Sequence, residues 1–156
     1  MALAIVESHP AVSDTELDAL QKRLGIELPE DYRRFLCEHN GGRPVPKTFS
    51  FVEGKAPTQS NVAWFLAVYD GRGENFEMTF RTFKVRSRRL PENLVPMARD
   101  PFGNLICMSF SGTDKGAIYF WDHEKETRKA DYRNCYLIAK SLEEFLSSLH
   151  ELTDTV

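Results

Sequence analysis

The chain has 156 residues, 42% of them apolar, which suits one globular domain with a sizeable core. The formal charge of -3 and a pI near 5.8 give no general pull toward nucleic acid, although a local patch is not excluded. Three cysteines, Cys37, Cys107 and Cys135, form no close pair, and Cys37 and Cys107 lie in apolar patterns, so buried reduced thiols and a cytoplasmic location are expected.

The start, MALAIVESHP, lacks the basic region of a secretory signal. The longest apolar run, Val62 to Tyr69, is far too short to cross a bilayer. Residues 1–12 read as an arm, part of which pairs or packs. Residues 13–150 read as one domain and residues 151–156 as a tail.

Ser13-Asp14-Thr15-Glu16 is a capping box that opens a short helix with Leu17, Leu20 and Leu24 on one face. Gly25 stops it. Pro29 suits a first helical position, and Glu30 and Asp31 suit a first turn. Tyr32, Phe35, Leu36 and His39 form the stripe of a second helix, closed by Asn40-Gly41-Gly42, one of which takes the left-handed conformation. This stretch, Leu24 to Gly42, organises the rest of the chain. It contains no nucleophile, phosphate cradle or metal cluster.

The prolines of Arg43-Pro44-Val45-Pro46 exclude a central strand there. Thr48 to Val52 reads as a strand and Glu53 to Asn61 as a loop. Val62 to Tyr69 fits either a strand or a helical segment. Asp70 to Asn75 is a glycine-bearing polar loop without the Gly-Lys-Ser/Thr of a phosphate loop. The span Arg81 to Arg89 carries five positive charges and no negative one. It reads as a solvated turn or helix end, with contact to an anionic partner as the alternative.

Leu90 to Ala98 reads as an extended strand entry limited by its prolines. Leu105 to Phe110 and Ala117 to Trp121 read as the two strands of an antiparallel hairpin. Asp122 to Arg133 is a charged loop, and Tyr136 to Ile138 a last strand. Ser141-Leu142-Glu143-Glu144 caps a closing helix that carries Leu142, Phe145, Leu146 and Leu149 and ends near His150. Helices at both ends around several strands predict an α+β fold: a mostly antiparallel sheet flanked by an N-terminal helix pair and a C-terminal helix.

The four histidines are scattered, and no zinc pattern is present. Trp121-Asp122-His123-Glu124 places acid, base and acid at a strand end, but nothing in the sequence names a nucleophile beside them. Cys37 is not at a helix N-terminus, and Ser109 and Ser111 lack a nucleophile elbow. No catalytic, cofactor-binding or metal-binding residue is expected.

Taken together, Leu24-Gly25, Leu28-Pro29, Tyr32 to Leu36, Asn40-Gly41-Gly42, Pro96 to Asp100, Phe102-Gly103-Asn104 and Gly116 to His123 resemble the SUKH superfamily. That group contains fungal cell-wall-assembly regulators and many bacterial immunity proteins. The resemblance implies a compact α+β binding domain with no shared catalytic residues. It implies a non-catalytic module that neutralises a cognate toxin, of nuclease type, by direct binding. The alternative is a regulatory or scaffolding adaptor for another protein, with an enzyme or nucleic-acid binder as a third reading. A monomer or weak homodimer is expected, with no cofactor, no membrane and no direct nucleic-acid contact.

A surface that blocks a nuclease gains from acids that mimic phosphate and from aromatic anchors. The expected partner contacts are Asp70, Glu74 and Glu77 in and after the glycine loop, Asp114, Asp122 and Glu124 at hairpin ends, and Trp64 and Trp121 as aromatics. Tyr32, Phe35, Gly103 and Gly116 read as scaffold, and Asp100 and Asn104 as partners of turn amides.

Overall fold

In the computed structural model, which describes residues 2–152, the first helix, α1 (Asp14–Leu24), begins as its capping box requires. Ser13 Oγ accepts from Glu16 N–H at 3.1 Å, and Glu16 Oε1 accepts from Ser13 N–H at 3.3 Å. Gly25 ends α1 in the left-handed region at φ 69°, donating its N–H to Gln21. The second helix, α2 (Glu30–Glu38), starts one residue later than expected. Pro29 caps it from an extended conformation, ψ 143°, instead of forming its first turn. Leu17 and Leu20 from α1 and Tyr32, Phe35 and Leu36 from α2 are buried together.

The helix end at Asn40 is a junction. The Asn40 side chain donates to Pro10 O and Val68 O and accepts from Val68 N–H, at 2.8–2.9 Å. Three segments distant in sequence therefore meet on one amide. Gly41 and Gly42 then pass through φ 75° and 110°. A Cβ on Gly41 would stand 2.6 Å from Ala67 Cβ, and one on Gly42 would meet Val6 O and Ser8 Oγ at 2.7 Å. The bare backbone admits the N-terminal arm, whose strand β1 (Ala4–Val6) pairs antiparallel with β2 (Arg43–Val45).

After a cis Val45–Pro46 bond comes a hairpin of β3 (Thr48–Glu53) and β4 (Ala56–Asn61), turned by Gly54 at φ 64°. The expected loop over residues 53–61 is thus mostly a strand. Neither face of β4 is deeply buried, so it carries no apolar alternation by which to be read. Pro57 is tolerated because β4 pairs on one side only.

The apolar run 62–69 is neither a full strand nor a helix. Only Trp64–Phe65 forms a strand, β5, and the rest fills the core as irregular chain. Asn75 caps a short helix, α3 (Phe76–Phe80), which continues as a π-helical turn over Arg81–Arg86. The principal sheet follows: β6 (Leu94–Arg99), β7 (Leu105–Ser109), β8 (Ile118–Trp121) and β9 (Cys135–Ala139). With β5 they form five antiparallel strands in the order β5-β6-β7-β8-β9. Pro96 sits inside β6, where β5 no longer reaches and the register with β7 shifts. Helix α4 (Leu142–Ser148) closes the fold, with Ser141 Oγ accepting from Glu144 N–H.

This is the α+β architecture expected. The sheet is buried on both faces, however. Ile106, Met108, Ile118 and Phe120 face the helices and β3. Leu105, Cys107 and Trp121 face a second cluster made with Leu90, Leu94 and Phe83. Residues 153–156 of the expected tail, and Met1 of the arm, lie outside the described residues.

Gly41→Ala should cost about 2–4 kcal/mol in urea unfolding, combining a left-handed backbone with an overpacked contact. Gly25→Ala, at similar φ but with nothing within 4 Å of the added carbon, should cost only about 1–2 kcal/mol.

Candidate partner-binding surface

The residues singled out as partner contacts divide by environment. Trp121 is fully buried, so it is corrected from surface anchor to core. Its ring meets Phe83 edge-on at 5.5 Å between centroids, and the Arg89 guanidinium lies over it at 5.2 Å. A second apolar layer against β8 claims a position whose alternation alone left both faces open. Trp64 is half-buried with Arg43 over its ring at 5.2 Å.

Three of the acids are engaged within the chain. Glu74 accepts from His9 Nε2 at 2.9 Å and lies 3.9 Å from Arg99. Burial opposes its ionisation, but the His9 bond and nearby charge hold its pKa below the ordinary value. The His9 ring also stacks on Tyr69 at 3.8 Å, which fastens the arm to the glycine loop. Glu77 binds Arg23 at 3.0 Å and Arg81 at 2.8 Å, and the Arg23 bond chiefly lowers its pKa.

Asp114 is the centre of a polar network. It accepts from Ser109 Oγ and Tyr119 OH at 2.7 Å, from Tyr132 OH at 2.8 Å and from Asn93 Nδ2 at 3.1 Å. Burial raises its pKa, and the hydroxyl donors outweigh that and leave it lowered. The same carboxylate pushes the Tyr132 phenol up to about 12, after burial as the larger cause. Asp122 caps a 3-10 turn by accepting from Glu124 N–H at 3.0 Å. Asp70 and Glu124 are exposed.

The groups considered for acid–base work are structural as well. His123 Nδ1 lies 2.6 Å from Asn104 Oδ1, whose oxygen also accepts from His123 N–H. Asp100 accepts from the amides of Phe102 and Asn104 at 2.8 and 2.9 Å, as expected for a turn anchor. Burial raises the Cys107 and Cys135 thiols, the latter to about 12. Cys37, expected to be buried, is only partly so, and burial followed by Asp14 raises its thiol. Among the described residues, no group of three His, Cys, Asp or Glu side chains could hold a metal ion.

The basic run is largely internal. Arg81 binds Glu77, Arg89 forms an ion pair with Glu126, and Lys84 donates to Pro91 O at 3.1 Å and Glu92 O at 2.6 Å. Phe83 is the residue that needs this segment in place, because it covers Trp121. Arg86 and Arg88 are exposed. The run therefore acts as a strap over the second face of the sheet.

Residues 11–148 match the family described as SMI1 / KNR4 family (SUKH-1). The chain belongs to that family. A curated relative is the SPbeta prophage-derived uncharacterized protein YokK of Bacillus subtilis (strain 168). It is 29% identical over an alignment of 154 positions that takes in 90% of this chain and 77% of the relative.

One feature of this SUKH-1 chain escaped the sequence reading: an open groove between α2 and α4, rimmed by Asp31, Glu38 and Glu143. Glu38 was the available signal, since it stands in the last turn of a helix, where cations are favoured.

Asp114→Asn turns an amide donor toward hydroxyls that donate, and should cost about 1.5–3 kcal/mol in urea unfolding. Lys84 has its pKa lowered to about 8 by burial. Its side-chain 13C resonance should titrate near that pH, whereas exposed lysines titrate near ~10.4. Because the folded value lies below the unfolded one, this group makes stability rise between about pH 8 and ~10.4.

Proposed function

We propose that this SUKH-1 domain is a protein-binding module that neutralises a cognate toxin by direct contact. The observation that carries the reading is the family match over residues 11–148. The resemblance drawn from the motifs implies immunity proteins among bacterial members. A prophage-derived relative fits a gene carried on a mobile element.

The physical form supports binding. The loops that border the sheet are held by side-chain amides and carboxylates: Asn40, Asn75, Asp100 and Asp114 each bridge separate backbone or side-chain groups. A partner meeting such loops pays little ordering entropy. The strand-end groups weighed for acid–base work, His123 and Asp122, are committed to turns instead.

Of the expected contacts, Asp70 and Glu124 remain outward, with Trp64 and Asp122 partly so. Outward carboxylates suit a cationic surface such as the substrate channel of a nuclease, where they hasten association and oppose anionic competitors. Glu74 and Glu77 act indirectly, by fixing the arm to the glycine loop and α1 to α3.

The product of the adjacent gene, purified and titrated against this chain by calorimetry, should bind with a Kd below about 1 μM, equivalent to roughly -8 kcal/mol. Co-expression should restore growth that the product alone arrests. Absence of binding and of rescue would assign the domain to a regulatory partner of another kind.

A further inference from the structure

We infer that the groove between α2 and α4 is the docking site for a basic protein segment that inserts one apolar side chain between two acidic rims. The inference rests on the reading above in one respect, that the partner is a protein.

The groove measures about 350 Å³ and opens to solvent. Its apolar part is Leu146, half-buried, over the buried Phe35 and Leu142, with Ser141 and Ser147 beside them. Asp31 and Glu38 line it from α2, and Glu143 from α4. Arg34 is its one basic lining residue. Among the described residues no ion pair involves Asp31, Glu38 or Glu143. This sets them apart from Glu74, Glu77, Glu126 and Glu53, each of which has a cation within the chain.

Two of the rim acids have an ordinary explanation. Asp31 lies in the first turn of α2 and Glu143 in the first turn of α4, where carboxylates favour the helix. Glu38 has none. It ends α2, which has no basic residue in its last turn, so its charge opposes the helix dipole. It also shares the groove with Glu143, and like charges around one cleft repel. A carboxylate without an ion pair, lining a groove where three acids face one arginine, is accounted for by a partner that supplies further cations. Charge complementarity therefore selects the occupant: lysine or arginine at the rims, with an aliphatic or aromatic side chain over Leu146.

The test selects peptides from a random phage-displayed library against the immobilised full chain, then titrates the synthetic winners into 15N-labelled protein. The expected winners carry at least two Lys or Arg around one large apolar residue. They should shift resonances of α2 and α4 and weaken at least tenfold with Glu38→Gln/Glu143→Gln, but not with Lys55→Gln in the distant β3–β4 turn. Leu146→Ser should weaken them as well. Glu38→Gln alone should raise the melting temperature of the free protein while reducing binding, a combination that a purely structural role would not produce. Failure to enrich any sequence, enrichment of neutral or acidic peptides, shifts elsewhere, or occupation of the groove only by a second copy of this chain would each overturn the inference. The two readings separate cleanly. If the adjacent-gene product binds and is neutralised with unchanged Kd in the double variant, the immunity reading stands and the groove falls. If that product does not bind but basic peptides seat in the groove, the groove stands and the toxin reading falls.

Discussion

The Asn40 side chain is held between the carbonyls of Pro10 and Val68 and the amide of Val68. The N-terminal arm, the end of α2 and the apolar run that contains β5 all take their positions from that one group. A buried amide leaves little room for substitution, because each lost bond strands a partner away from water. Gly41 and Gly42 complete the junction by letting backbone approach backbone where no Cβ fits. His9 stacking on Tyr69 and binding Glu74 closes the arm over the same point.

From this junction the sheet extends with both faces covered. The helices and β3 supply one apolar layer, and the strap of residues 81–91 supplies the other. The strap has few apolar side chains of its own, and three of its cations find internal partners: Arg81 in Glu77, Arg89 in Glu126 and over Trp121, Lys84 in two carbonyls. Positive charge here holds an irregular π-helical turn against an aromatic core. That accounts for three of the five cations of the run, and Arg86 and Arg88 stay exposed.

The distribution of carboxylates follows the same logic. Acids beside the sheet and glycine loop, such as Glu74, Glu77 and Asp114, are satisfied by side chains brought from elsewhere in the chain. Acids along α2 and the start of α4 are not neutralised in this way, and Glu38 opposes its own helix. Together with Asp70 and Glu124, which stay exposed, these are carboxylates open to a cationic protein.

Local chemistry determined much of this protein from the sequence alone. Ser13 and Ser141 cap helices, Gly25 ends one, and the runs 105–110 and 117–121 pair as strands, because capping, glycine φ and strand periodicity act over a few residues. The asparagine–glycine–glycine signature and the Asp100–Asn104 turn carried the family for the same reason. Tertiary structure decided what depends on a second segment arriving. The strand β4 was hidden because its polar face has no periodic signal, and only β3 beside it makes it a strand. Trp121 and Tyr119 alternate with Ile118 and Phe120, a pattern that fixes two faces but not their environments. The strap buries Trp121, and the Asp114 network claims Tyr119. Whether Glu74 or Glu77 is a free acid likewise depends on His9 and Arg23, which are 65 and 54 residues away in the chain. Pairings over such separations are set by packing of the whole domain, which no local pattern encodes.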